Sequence, residues 1–123
     1  MDNNKKYTGI WGEIFAARYL RDHGLTILCA NYRTRNGEID LIAHDDEYII
    51  FVEVKTRGEG AIAEPKEAVD YIKQKKLSIT ALEFLGNNPY QLSSRFDVIE
   101  VFLDENCGLK KINHIMDAFD VAI

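Results

Sequence analysis

Two short apolar runs constrain this chain more than anything else in it: Gly37-Glu38-Ile39-Asp40-Leu41-Ile42-Ala43 and Ile50-Phe51-Val52-Glu53-Val54-Lys55. Their length and their content of β-branched residues read as strands covered on both faces. Such strands normally exclude charge, because a carboxylate stripped of water is costly unless it is paired. Yet Asp40, Glu53 and Lys55 sit inside them. Acids are tolerated in that setting when a cation lies between them.

Strict alternation puts Asp40 on the face of Glu38 and Ile42, and Glu53 and Lys55 on the face of Ile49 and Phe51. Pairing of the two strands in a suitable register makes Asp40 and Glu53 neighbours. Two carboxylates about 4 Å apart repel by roughly 4 kcal/mol at an effective dielectric near 20. A hard dication turns that repulsion into attraction, and oxygen donors select Mg²⁺ or Mn²⁺ over zinc. His23, His44 and His114 are scattered and lack ligand spacing. The carbonyl of Val54 offers a further oxygen. Lys55 would orient a water or steady the charge that develops on phosphorus. The competing account is a structural ladder of salt bridges. Glu-x-Lys by itself is a weak signal, and Glu64-Pro65-Lys66 repeats it where a proline starts a helix.

The surrounding pattern is that of an α/β domain. Thr8 caps an expected helix from Gly9 to His23, and Gly24 supplies its left-handed stop. Glu13 falls inside the apolar arc of that helix, either as a further site acid or reaching for a basic residue at the arc's edge. Leu25–Arg35, Glu38–His44 and Tyr48–Lys55 read as an antiparallel meander, with Asn36-Gly37 as its first turn. Gly58 and Gly60 mark a loop, and a second helix is expected from Pro65 to Leu85. Strands follow at Ser94–Leu103 and Leu109–Ile115, then a short amphipathic tail from Met116. The helical crossover allows the third and fourth strands to pair in parallel. A mixed five-stranded sheet flanked by two main helices results.

The 123 residues suit one domain with its own core. A net charge of −5 counts against a protein that coats nucleic acid. It leaves room for a local basic rim, for which Arg33, Arg35, Lys55, Arg57, Lys66, Lys73, Lys75 and Lys76 are the candidates; a solvated face is the alternative. Cys29 and Cys107 have no C-x-x-C spacing and read as reduced packing residues, and no apolar leader follows Met1. A cytoplasmic protein with no membrane association is expected. Glu38 is either an outer acid of the site or a surface charge. Asp97 shares a face with Arg95, which allows either a simple ion pair or a distal role in the site.

Gly12-Glu13, Asn31-Tyr32-Arg33, Gly37 to Ala43, Phe51-Val52-Glu53-Val54-Lys55-Thr56-Arg57, Arg95-Phe96-Asp97-Val98 and Ile112-Asn113-His114-Ile115 together resemble the YraN family of uncharacterised bacterial proteins. That family belongs to the restriction-endonuclease-like, or PD-(D/E)XK, superfamily and is similar to archaeal Holliday-junction resolvases. By position, Glu13, Asp40, Glu53 and Lys55 match the superfamily's acidic helix residue and its Asp…Glu-x-Lys core. Lys73, Lys75 and Lys76 fall on the helix that often carries a further polar site residue. Ile39 stands where the superfamily usually has a proline. The resemblance implies a restriction-endonuclease-like fold and Mg²⁺- or Mn²⁺-dependent hydrolysis of DNA, branched or duplex. By analogy with resolvases of this fold a homodimer is an expectation, and the alternative to the endonuclease is a nucleic-acid-binding accessory protein of the same fold that cleaves poorly.

Overall fold

A computed structural model describes residues 2–58, 70–87 and 91–120. The chain runs α1 (Asp2–Asp22), β1 (Thr26–Thr34), β2 (Gly37–His44), β3 (Tyr48–Arg57), α2 (Tyr71–Asn87), β4 (Ser93–Leu103) and β5 (Leu109–Phe119). The five strands lie in sequence order across one sheet. β3 and β4 are parallel and every other neighbouring pair is antiparallel. This mixed α/β arrangement is consistent with a restriction-endonuclease-like fold.

Each face of the sheet carries its own core. Ile42, Ile49, Phe51, Phe96 and Val98 pack with Leu77, Ala81 and Phe84 of α2. Leu41, Ile50, Val52, Ile99 and Val101 pack on the other face with Ala16 and Leu20 of α1. β3 is apolar on both faces because helices cover both.

Several local expectations change. α1 begins at Asp2, so Thr8 lies within the helix rather than capping it. Gly24, at φ 87°, is the expected left-handed stop. Thr34 pairs with Gly37, which makes Arg35-Asn36 the turn, and none of these residues has positive φ. The glycine serves packing instead, since a Cβ on Gly37 would lie 2.9 Å from Thr80 Oγ1 of α2. α2 starts at Tyr71, where Asp70 caps it by accepting the Lys73 N–H at 2.8 Å. The expected start at Pro65, with Glu64 and Lys66, lies outside the described residues. β5 extends through Met116 to Phe119 instead of ending at Ile115.

Asp97 is fully buried, and its ion pair with Arg95 is present at 2.8 and 2.9 Å. It also accepts the backbone N–H of Asp117 and bonds His114 Nε2, whose Nδ1 meets the Tyr19 hydroxyl. The contact with Tyr19 of α1 puts this network across the sheet from α2.

Gly12 sets how closely α1 approaches β3. A Cβ there would fall 1.9 Å from Thr56 Oγ1 and 2.9 Å from Thr56 Cβ, whereas one on Gly9 would meet nothing within 4 Å. Gly12→Ala is therefore expected to cost about 1–3 kcal/mol by overpacking. Gly9→Ala should gain a few tenths to about 1 kcal/mol from helix propensity. Urea unfolding of the two variants checks this, and equal effects would contradict the close approach.

Candidate active site

The β2–β3 ladder runs from His44↔Ile49 to Leu41↔Val52 and stops there. Asp40 and Glu53 are the next residues on the two strands. Beyond that point Ile39, Glu38 and Gly37 pair with β1, while Glu53 to Arg57 pair with β4. Asp40 fills the resulting fork: its Oδ2 accepts the Val54 N–H at 2.8 Å, replacing a backbone acceptor with a carboxylate. Asp40 and Glu53 thus follow directly on the last paired residues, close enough for the two carboxylates to repel one another.

The alternation assumed for Asp40 does not hold. Ile39 and Ile42, three residues apart, pack into the same core, as do their partners Tyr32 and Cys29. The lost period lies beside a register shift between Ile27 and Cys29 and a left-handed Asn31, at φ 54°. Asp40 lies within the span where the facing changes.

Four carboxylates surround the fork. Burial pushes the Asp40 carboxyl up, repulsion from Glu53, Glu13 and Glu38 adds to it, the Val54 N–H opposes it, and the result is about 7. Glu13 is also raised, first by burial and then by Glu38 and Glu53, against a lowering hydrogen bond from Asn31. Glu53 holds the Lys73 ammonium at 2.5 Å, with its own side chain only 11% exposed. Glu38 is paired with Arg33 and interacts with both Glu13 and Asp40, so it belongs to the edge of the cluster.

The cations divide by environment. Lys55 is half-buried, and no carboxylate among the described residues pairs with it. Lys73 is the α2 lysine that reaches the acids; Lys75 and Lys76 are exposed, as are Arg33 and Arg35 on the β1–β2 hairpin. Arg57 is placed differently from these: its side chain is 14% exposed and its guanidinium pairs with Glu100 at 3.3 Å. Sequence reasoning left the choice among the lysines open. The spacing of Lys73 to Leu77 and Ala81 was the available signal, since i and i+4 share a helix side. Asn31 had no assigned role at all.

Among the described residues no three His, Cys, Asp or Glu side chains converge at ligand spacing. Hard dications are also held by one or two carboxylates together with water and phosphate. The residues fit such an ion: Asp40 and Glu53 repel one another in a half-buried fork, with the Val54 carbonyl nearby in sequence.

Residues 12–101 match the profile of the uncharacterised protein family UPF0102. The chain belongs to this family, the one named YraN above. A UPF0102 protein of Alkaliphilus oremlandii is 48% identical over 121 residues, covering 94% of this chain and 99% of its own. One from Caldanaerobacter subterraneus subsp. tengcongensis is 46% identical over 118 residues, covering 94% and 97%. Another, from Geotalea daltonii, is 41% identical over 121 residues, covering 98% and 94%. Membership spans almost the full chain and brings no assigned activity. No helix among the described residues is long and apolar enough to cross a membrane.

The raised Asp40 carboxyl has a defined consequence for stability. The folded protein keeps that proton to about 7, whereas the unfolded chain releases it near 3.8. Asp40's contribution is therefore present below the unfolded value and lost as pH rises through about 7. Asp40→Asn should remove this loss and leave the metal-free protein roughly 1–3 kcal/mol more stable than wild type at pH 8, with little difference at pH 4. Urea titrations at both pH values measure it; a less stable variant at pH 8 would refute the repulsion account.

Proposed function

We propose that this protein is a metal-dependent endonuclease that hydrolyses DNA phosphodiester bonds at the β2–β3 fork. The observation that carries the reading is Asp40: a half-buried carboxylate beside Glu53, pushed up to about 7 by burial and then by neighbouring acids, with no cation paired to it among the described residues. A fold under selection for stability alone gains nothing from that arrangement, and Asp97 in the same sheet shows how a buried acid is otherwise satisfied.

Asp40 and Glu53 would hold Mg²⁺ or Mn²⁺, with the Val54 carbonyl as a further donor and Glu13 completing the acidic cluster. Held by these residues, such an ion would supply Lewis acidity toward a phosphate oxygen and a water. Lys55, two residues beyond Glu53 on β3, supplies an ammonium to orient the water and offset charge on the phosphorus centre. Lys73 neutralises Glu53 and must yield, or share that carboxylate, when an ion is held. Arg33, Arg35, Lys75 and Lys76 provide exposed positive charge on the hairpin and α2 for backbone phosphates. The short Lys73–Glu53 contact also supports a second reading, a nucleic-acid-binding accessory protein whose resident ammonium stands in for the metal.

Purified protein incubated with linear and branched DNA in Mn²⁺ should cleave, and Glu53→Gln should lower the rate at least about 100-fold. Binding without cleavage would favour the accessory reading. No binding even at low salt, where phosphate contacts are strongest, would refute both.

A further inference from the structure

α2 lies along the β1–β2 hairpin and begins at the fork. Toward its C-terminal end Glu83 accepts hydrogen bonds from Thr34 Oγ1 at 2.9 Å and Asn36 Nδ2 at 3.1 Å. Two turns earlier a Cβ on Gly37 would lie 3.9 Å from Lys76 Cβ, and at the start of the helix Lys73 reaches Glu53 at 2.5 Å. Tyr71 and Ile72 open the first turn, within about 3 Å of Lys73 along the helix axis. They are the two most exposed large apolar side chains among the described residues, at 66% and 69%. Leu77, Ala81 and Phe84 of the same helix are buried, so the pair lies outside the core that α2 completes. Helical side chains lean toward the N-terminus, which carries both past the helix end nearest Glu53. We propose that Tyr71 and Ile72 form a stacking tip that receives an unpaired base beside the fork, so that the protein selects DNA with unpaired nucleotides over continuous duplex.

The charges around the tip favour nucleic acid as its occupant. Lys75 and Lys76 follow Tyr71 and Ile72 at i+4, which sets each ammonium one turn behind an apolar side chain. Both lysines are exposed, and neither pairs with an acid among the described residues. No ring packs on Tyr71 there either. Apolar surface interleaved with cations fits a polyanion that carries flat apolar faces. The centre of a protein interface is instead depleted of lysine. Within a continuous duplex each base face is covered by its neighbours, and the tip meets only phosphates. An unpaired base offers a free face; the tyrosine ring covers it while its hydroxyl stays in water. The isoleucine beside it wedges against the adjoining base step.

The inference rests on the nucleic-acid reading of the fork, and binding measured without a divalent ion keeps it separate from cleavage. Fluorescence anisotropy of the full chain compares a continuous DNA duplex with the same duplex carrying a short unpaired bulge. The wild type should bind the bulged DNA about ten-fold more tightly. Tyr71→Ala should abolish most of that preference while changing duplex affinity less than about two-fold, and Tyr71→Phe should keep it. Ile72→Ala should reduce the preference by about three-fold. A fluorescent adenine analogue placed in the bulge should be quenched by the wild type and by Tyr71→Phe but not by Tyr71→Ala, a sign of stacking that a merely structural role does not produce. Lys75→Gln and Lys76→Gln should weaken both DNAs alike. Equal wild-type affinity for the two DNAs, or an unchanged preference in Tyr71→Ala, would overturn the stacking tip in favour of a protein partner and leave the reading of the fork standing. Absence of binding to either DNA at low salt would overturn both.

Discussion

The hydrogen bond from the Val54 N–H to Asp40 is the constraint on which the site depends. An antiparallel ladder that continued past Leu41↔Val52 would satisfy Val54 with a backbone carbonyl and leave no opening. A carboxylate in that place ends the ladder without orphaning the donor. β2 can then turn toward β1, β3 can continue along β4, and the gap between them admits charge. Gly12, pressed against Thr56, brings α1 close to β3 and Glu13 to the same region.

Asp40 and Asp97 lie in one sheet and have opposite fates. Both suffer from burial, which favours the neutral acid. Asp97 is offset by His114, Arg95 and the Asp117 N–H, and its carboxyl falls below the usual range. That network ties α1, β4 and β5 together and is complete in itself. Asp40 has one backbone donor and three acidic neighbours, so its carboxyl rises. The difference is one of company: cations and N–H donors surround Asp97, whereas acids surround Asp40.

Positive charge is arranged around the fork with a similar division. Lys73 lies against Glu53, whereas Lys55 has no acidic partner among the described residues. Arg57 is committed to Glu100, which in turn bonds Asn113 of β5. What remains exposed on the hairpin and on α2 is Arg33, Arg35, Lys75 and Lys76. A protein with net charge −5 thus still presents exposed cations on its first hairpin and on α2.

The strands, the two helices and the parallel β3–β4 pair were legible in the sequence, because period, length and turn residues are local signals; whether Asp40 and Glu53 became neighbours hung on a strand register that local pattern left open. So was the Arg95–Asp97 pair, two residues apart on one strand. The faces around Asp40 were not, since strict alternation has no means of announcing the irregular β1 at Leu28 and Asn31. Nor could local pattern choose Lys73 over Lys75 and Lys76, withdraw Arg57 from the surface, or assign Gly37 to packing rather than turning. Each of those depends on which residues distant in sequence arrive at the same place. Sequence alone determined which acids the sheet would carry; only the packed structure decided which of them would keep a proton, because that depends on burial and on neighbours contributed by α1, β1 and β3 together.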